Sequence, residues 1–198
     1  MAEVEVPKHE ELEELKATSF TRGVALTTAI FAVALAIASL GGNNATKEMM
    51  LAQQQASDLW AFYQSKVIRE HQYRIEKMRL EADLAERGAK MDHGARQSFD
   101  ALLTTLLNEE KRYESEKHEI EEKAKEKEHE RDLNRARDPY FDFAEVALQI
   151  AIVLSSISIL ATSRPIFFVS LTLALVGVFL MADGYTMWVA VPWLHGGP

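Results

Sequence analysis

FAEVALQIAIVLSSISILATSRPIFFVSLTLALVGVFLMA, residues Phe143 to Ala182, reads as two apolar runs with a tight connection between them. Phe143–Thr162 and Ile166–Ala182 are each close to the roughly 20 residues that a helix needs to cross about 30 Å of hydrocarbon. The Thr162-Ser163-Arg164-Pro165 connection leaves room only for a sharp reversal, so the pair predicts a transmembrane hairpin. A third run, FTRGVALTTAIFAVALAIASL, occupies Phe20 to Leu40 and carries a single charge at Arg22. A soluble fold of 198 residues cannot easily hide three such segments. The sequence therefore predicts an all-α integral membrane protein with three transmembrane helices, over residues 20–40, 143–162 and 166–182.

Between the first and second runs lies a stretch of opposite character. Residues 43–142 contain 22 Asp and Glu against 18 Lys and Arg. The slightly negative mean hydropathy of the whole chain thus averages two populations that cancel. Net charge is −8, with no basic stripe. That balance argues against nucleic acid as a partner, which requires clustered Lys and Arg to displace counterions. It equally argues against a charged stretch that lies on anionic lipid. The absence of cysteine removes disulfides, thiolate metal sites and cysteine nucleophiles together. Residues 1–19 read as an acidic tail. That leader, and the lack of a clear small-residue cleavage site, favour a retained first span over a signal peptide.

The charged stretch predicts a helical hairpin over residues 45–138. Gly41-Gly42-Asn43-Asn44 is expected to end the first span, because glycine accepts the left-handed geometry of a helix C-cap and asparagine restarts a helix. Gly88 and Gly94 bracket a break in the apolar period, so residues 88–94 read as the turn. Asp138-Pro139 is expected to stop the returning helix. In the first limb Ile68, His71, Ile75, Met78, Ala82 and Ala85 recur at three and four residues. In the second limb Phe99, Leu103, Leu106, Glu110, Tyr113, Lys117, Ile120 and Ala124 do the same. This is the alternation of an antiparallel coiled-coil-like arm, and its predicted core is Ile75, Met78 and Leu84 against Phe99, Leu103 and Leu107. Lower down, Trp60, Phe62 and Tyr63 face a run with Glu119/Lys123 and Glu121/Lys125 pairs, the pattern of a solvated helix. These aromatics lack an apolar partner in their own hairpin and mark an oligomer or partner contact.

The segment Gly41-Gly42-Asn43-Asn44-Ala45-Thr46, followed by Ala56-Ser57-Asp58-Leu59-Trp60-Ala61-Phe62-Tyr63-Gln64-Ser65-Lys66, resembles a bacterial membrane-protein family known as domain of unknown function 4337. The resemblance extends to the layout of one span, a charged helical stretch and two further spans. It implies architecture and a bacterial inner-membrane location; it implies no activity and no catalytic residues.

The residues themselves offer little chemistry. The six histidines form no helical ligand pair with a carboxylate, so no metal, cofactor or catalytic group is expected and the chain is not read as an enzyme. Glu145 and Asp183 lie near the ends of their spans. They read as membrane-proximal acids that reach water, with an ion pathway as the sharper alternative. Residues 183–198 are rich in aromatics and glycine and read as an interfacial tail. Lys8, Lys16, Arg22 and Arg164 all fall on one side of a three-span topology, which places the N-terminus in the cytoplasm and the charged hairpin outside. The leading functional expectation is a homo-oligomeric scaffold, or a binder of an as yet unidentified protein, held in the lipid bilayer with its arms bundled. The alternative is a pore or transport component, supported by Gln149, Ser155, Ser156 and Ser158 in the second span.

Overall fold

The computed structural model describes residues 9–189, with side chains from Ser19 onward. Three α-helices account for nearly all of it: α1 (His9–Arg87), α2 (His93–Leu160) and α3 (Arg164–Thr186), with a 3₁₀ turn at Gly88–Lys90 after α1. There is no strand among the described residues. Each helix contains a segment long and apolar enough to cross a membrane. The chain divides into two units, one comprising residues up to Glu48 together with those from Leu133, the other Met49–Asp132.

In the first unit, three helical segments pack around Phe31, Ala38, Ala144, Leu148, Ala151 and Ala174. Small residues dominate this core, so the backbones approach closely. Gly177 of α3 shows how closely: a Cβ there would stand 2.8 Å from Leu148 Cγ and 3.1 Å from the Ala144 carbonyl oxygen. Polar contacts complete the α2–α3 seam. The hydroxyls of Ser155 and Ser170 lie 2.7 Å apart, Ser170 donates to the Ala151 carbonyl at 2.8 Å, and Ser158 donates to the Ser155 carbonyl at 2.7 Å. A buried hydroxyl needs such a partner, because water is not there to supply one.

Two expected helix ends are overridden in this unit. Gly41-Gly42 does not end a helix; α1 continues through it. The reason is the ring of Phe141 on α2, which occupies the space where side chains would be. A Cβ on Gly41 would lie 2.5 Å from Phe141 Cε1, and one on Gly42 3.2 Å from Phe141 Cβ. Gly184 on α3 faces the same ring, its would-be Cβ 3.1 Å away. The glycines form a socket for an aromatic side chain and are not caps. Nor does Asp138-Pro139 stop α2, which carries Pro139 in its interior. Proline there forfeits one backbone hydrogen bond and clashes with the preceding turn, at a cost of about 3 kcal/mol. Tyr140 and Phe141, both fully buried, follow immediately. Asp138 accepts a 2.9 Å hydrogen bond from Thr46 of α1. Burial of two aromatic side chains, at roughly 2–3 kcal/mol each, outweighs the proline penalty and holds the helix through it.

The short reversal between α2 and α3 forms as the sequence suggests, but without glycine. Thr162 adopts φ 49°, the left-handed geometry of a helix C-cap. The Thr162 and Ser163 amides donate to the carbonyls of Ile159 and Ser158. That pair of bonds is the Schellman closure, followed by Pro165 in the first turn of α3.

In the second unit, α1 and α2 run antiparallel. Contacting pairs descend one helix as they climb the other: Gln53 with Arg131, Trp60 with Glu128, Glu70 with Lys117, and Lys77 with Glu110. The turn at Gly88–Lys90 leads into Asp92, which caps α2: its Oδ1 accepts the Ala95 amide at 2.7 Å, and its carbonyl accepts the Arg96 amide.

Candidate functional site

Along α2 in the second unit, Leu106, Glu110, Tyr113, Ile120 and Ala124 are buried, and Phe99, Leu103, Leu107 and Lys117 are half-buried. Along α1 the inward positions are Ala52, Ala56, Leu59, Tyr63, Lys66, Glu70, Tyr73, Lys77, Leu80 and Leu84, again spaced by three and four. Leu84 thus lies at the partly covered end of the seam. Ile75 and Met78 do not. They are 50% and 59% exposed, Ile68 is 59% exposed, and His71, Ala82 and Ala85 are exposed as well. The apolar repeat expected to form the first limb's seam therefore faces outward.

Charge explains the choice of face. The α2 seam includes Glu110 and Lys117, and a buried charge without a partner is far more costly than an exposed isoleucine. The face of α1 that turns inward supplies the partners. Glu70, 1% exposed, accepts from Lys117 Nζ at 2.6 Å and from Arg74 at 2.6 Å. Glu110 accepts from Arg74 Nε at 2.7 Å and is also bridged by Lys77. Lys66 pairs with Glu116 and lies 5.2 Å from the centre of the Tyr113 ring. Tyr113 stacks on Tyr73 with centroids 5.5 Å apart and receives a 3.3 Å hydrogen bond from Arg69. An apolar face of α1 turned inward would have left Glu110 and Lys117 without these ligands.

The network shifts proton affinities in the direction its geometry requires. The Arg74 guanidinium, then the Lys77 ammonium, hold the Glu110 carboxyl below the usual carboxylate range. Lys66 does the same for Glu116. Groups with depressed native pKa values contribute stability that is present above the unfolded-state pKa and lost as pH falls through the native value. Thermal melting of the helix pair, followed by circular dichroism, is expected to shift to lower temperature as pH drops below the ordinary glutamate range. In Glu110→Gln the acid-induced shift is expected to shrink.

The aromatic group placed lower on the hairpin is divided. Trp60 is half-buried; its indole Nε1 donates to Glu128 at 3.0 Å and its ring meets Tyr63 edge-on at 5.4 Å. Tyr63 is half-buried. Phe62 is 51% exposed, with Lys66 Nζ 4.9 Å from its ring centre. The Glu/Lys-rich run thus covers Trp60 by hydrogen bonding, which an apolar reading of that run could not anticipate.

The two acids of the first unit also separate. Glu145 is half-buried, with Oε1 3.9 Å from the position of a Cβ on Gly42. Asp183 is buried and organises the end of α3. Its carbonyl accepts the Met187 amide, and its Oδ1 accepts the amides of Trp188 and Val189, each at 2.9 Å. Met187 sits at φ 51°, and the Tyr140 hydroxyl donates to the Val189 carbonyl at 3.0 Å. Asp183 is a carboxylate that closes a turn. Residues 190–198, the rest of the aromatic tail, lie outside the described residues.

These features define a class: an all-helical protein with three helices long and apolar enough to cross a membrane, and a helix pair joined by a network of ion pairs. The chain belongs to the family described as a domain of unknown function, DUF4337, whose model matches residues 20–187. No curated protein and no solved structure matches the chain.

Proposed function

We propose that the protein is a membrane-embedded homo-oligomer that acts as a scaffold, with copies joined through the helix pair at residues 49–132. The carrying observation is the outward stripe of Ile68, Ile75 and Met78, at least half exposed in each case and spaced seven and three residues apart, which puts them on one helix face in the register of a helix–helix seam. An apolar surface in that pattern fits a helix, and each isoleucine buried there contributes roughly 1.5–3 kcal/mol. The occupant is a second copy, since confinement in one bilayer presents the same stripe on every neighbour.

The membrane part of the reading is supported by the first unit, whose outer surface is apolar, unlike that of a water-soluble bundle. Serines and alanines are prominent inside, beside Phe31, Tyr140, Phe141 and Leu148, while Leu26, Ile30, Val33, Val153, Val169 and Phe179 are exposed. Packing of small residues, with large apolar groups outward, suits hydrocarbon as the surrounding solvent. The pore alternative has less support. Ser155 is buried in a hydrogen bond to Ser170 of α3 and Ser158 in one to the Ser155 carbonyl within α2, so two of the polar groups that suggested a lumen are occupied within one chain.

Particle mass in detergent tests the proposal. The wild type is expected at a multiple of 22.3 kDa. Ile68→Asp/Ile75→Asp/Met78→Asp is expected at the single-chain mass with helicity unchanged. An unaltered mass in the triple variant would remove the stripe as the contact. Trp60→Ser/Phe62→Ser/Tyr63→Ser then tests the aromatic group as the alternative surface.

A further inference from the structure

A cavity of about 500 Å³ opens between the start of the apolar part of α1 and the start of α3, lined by Phe20, Gly23, Val24, Arg164, Phe167 and Phe168 together with Ser19 and Thr27. Its size falls in the range of small-molecule sites. Its lining has two parts. One wall is aromatic: the Phe20 and Phe167 rings meet edge-on at 6.0 Å, and Phe168 is 62% exposed beside them. The other part is Arg164, the first residue of α3, just after the polar Thr162-Ser163 reversal. Among the described residues the Arg164 guanidinium makes no ion pair or hydrogen bond, and no acidic side chain lines the cavity. The floor at Gly23 is open, with nothing beyond the local helix backbone within 4 Å of the position a Cβ would take.

We propose that this cavity binds one phospholipid with a net-anionic phosphodiester headgroup, the phosphate held by Arg164 and the first part of an acyl chain lying along Phe20, Phe167 and Phe168 over Gly23. The proposal rests on the reading that the three helices cross a bilayer, because that reading places Arg164 at headgroup depth and the aromatic wall just below it. Guanidinium is suited to phosphate because its planar fork donates two parallel hydrogen bonds and is weakly hydrated compared with an ammonium. The apolar wall distinguishes a lipid from any soluble phosphate, since only a lipid carries a chain that gains by covering three phenylalanine rings. The Arg164 charge favours a net-negative headgroup over a zwitterionic one.

Native mass spectrometry of the full-length protein in detergent micelles, supplied with phosphatidylglycerol, tests the assignment. The wild type is expected to retain one phosphatidylglycerol per chain, and Arg164→Ala to retain it about tenfold more weakly, the scale of one charge-assisted hydrogen-bonding group. Arg164→Lys is expected to fall between them. Gly23→Phe fills the open floor and leaves the charge in place, and is expected to lose the lipid as Arg164→Ala does. Diacylglycerol with the same chains is expected not to be retained, and excess inorganic phosphate is expected not to displace the lipid. Displacement by inorganic phosphate would make this a soluble-phosphate site and overturn the lipid assignment. Equal retention of diacylglycerol, or by Arg164→Ala, would overturn the role of the phosphate. Extraction of the wild type from membranes by alkaline carbonate would sink the membrane reading and the site with it. A carbonate-resistant protein that retains no phosphatidylglycerol would sink the site alone.

Discussion

Glu70→Ala is expected to destabilise the helix pair by about 3 kcal/mol, the low end of the cost of breaking a buried ion pair by removing one partner. Glu70 is 1% exposed and accepts from both Arg74 and Lys117. Its removal leaves Lys117 facing a protein interior with no acceptor. The lower end applies because the Lys117 side chain retains 23% exposure and can turn toward water, and because Arg74 keeps Glu110 as a second partner. The double substitution Glu70→Leu/Lys117→Leu is expected to recover most of the loss, since both charges leave together and the leucines extend the apolar seam between Leu106 and Ile120. Hydrogen exchange of the amides around residues 65–75 and 112–122 reads the effect locally: faster in the single variant, near wild type in the double. A single substitution that left exchange unchanged would mean that the network is solvated and that charge did not choose the seam.

That experiment bears on why the sequence disclosed one limb of the hairpin and concealed the face of the other. In α2, apolar and charged seam residues share one three-and-four pattern, so Phe99 through Ala124 could be read directly. In α1 two such patterns coexist. Ile68, Ile75 and Met78 form the more apolar one, and hydrophobicity alone selects it. Leu59, Tyr63, Lys66, Glu70, Tyr73, Lys77 and Leu80 form the other, and become legible only when Glu110 and Lys117 are asked where their counter-charges lie. The turn was readable because Gly88 and Gly94 interrupt both patterns at once, with Asp92 as a capping residue between them.

The breaks expected at Gly41-Gly42 and at Asp138-Pro139 have a common physical origin. Both rest on local rules worth about 1 kcal/mol per glycine and about 3 kcal/mol for proline. Both lie at the same junction, where Phe141 enters the glycine socket and Tyr140 is fully buried. Local preference yields to tertiary packing when two aromatic side chains are at stake, and no single-chain period reveals that residues near 41 and near 141 will meet. Ser155 and Ser158 carried a similar ambiguity: a serine cluster in an apolar run reads equally as a polar lining or as a helix–helix contact until a partner such as Ser170 is placed opposite.

The glycine socket supplies a test in which the balance of two opposing terms differs in sign between two glycines of α1, Gly23 outside the socket and Gly41 within it. Replacing glycine by alanine inside a helix gains about 1 kcal/mol when nothing obstructs the methyl group. At Gly23 nothing does, so Gly23→Ala is expected to be neutral to mildly stabilising. At Gly41 the same methyl would stand 2.5 Å from Phe141 Cε1 and 2.8 Å from the Tyr185 hydroxyl oxygen. Tyr185, 50% exposed, can swing aside, but the Phe141 ring is fully buried, with the Gly184 backbone close to the same ring edge and the Tyr185 ring meeting it edge-on at 4.9 Å. The overpacking cost, about 1–3 kcal/mol for a buried methyl group without space, exceeds the propensity gain. Gly41→Ala is therefore expected to be net destabilising, and Gly41→Leu to cost about 3 kcal/mol and to separate α1 from α2 near residue 141. Adding Phe141→Ala to Gly41→Leu returns volume to the socket and is expected to restore part of the loss. Unfolding in a denaturing detergent, followed by circular dichroism, ranks the four variants. A Gly41→Leu protein as stable as Gly23→Ala would mean that Phe141 does not occupy the socket, and the continuity of α1 through Gly41-Gly42 would need another cause.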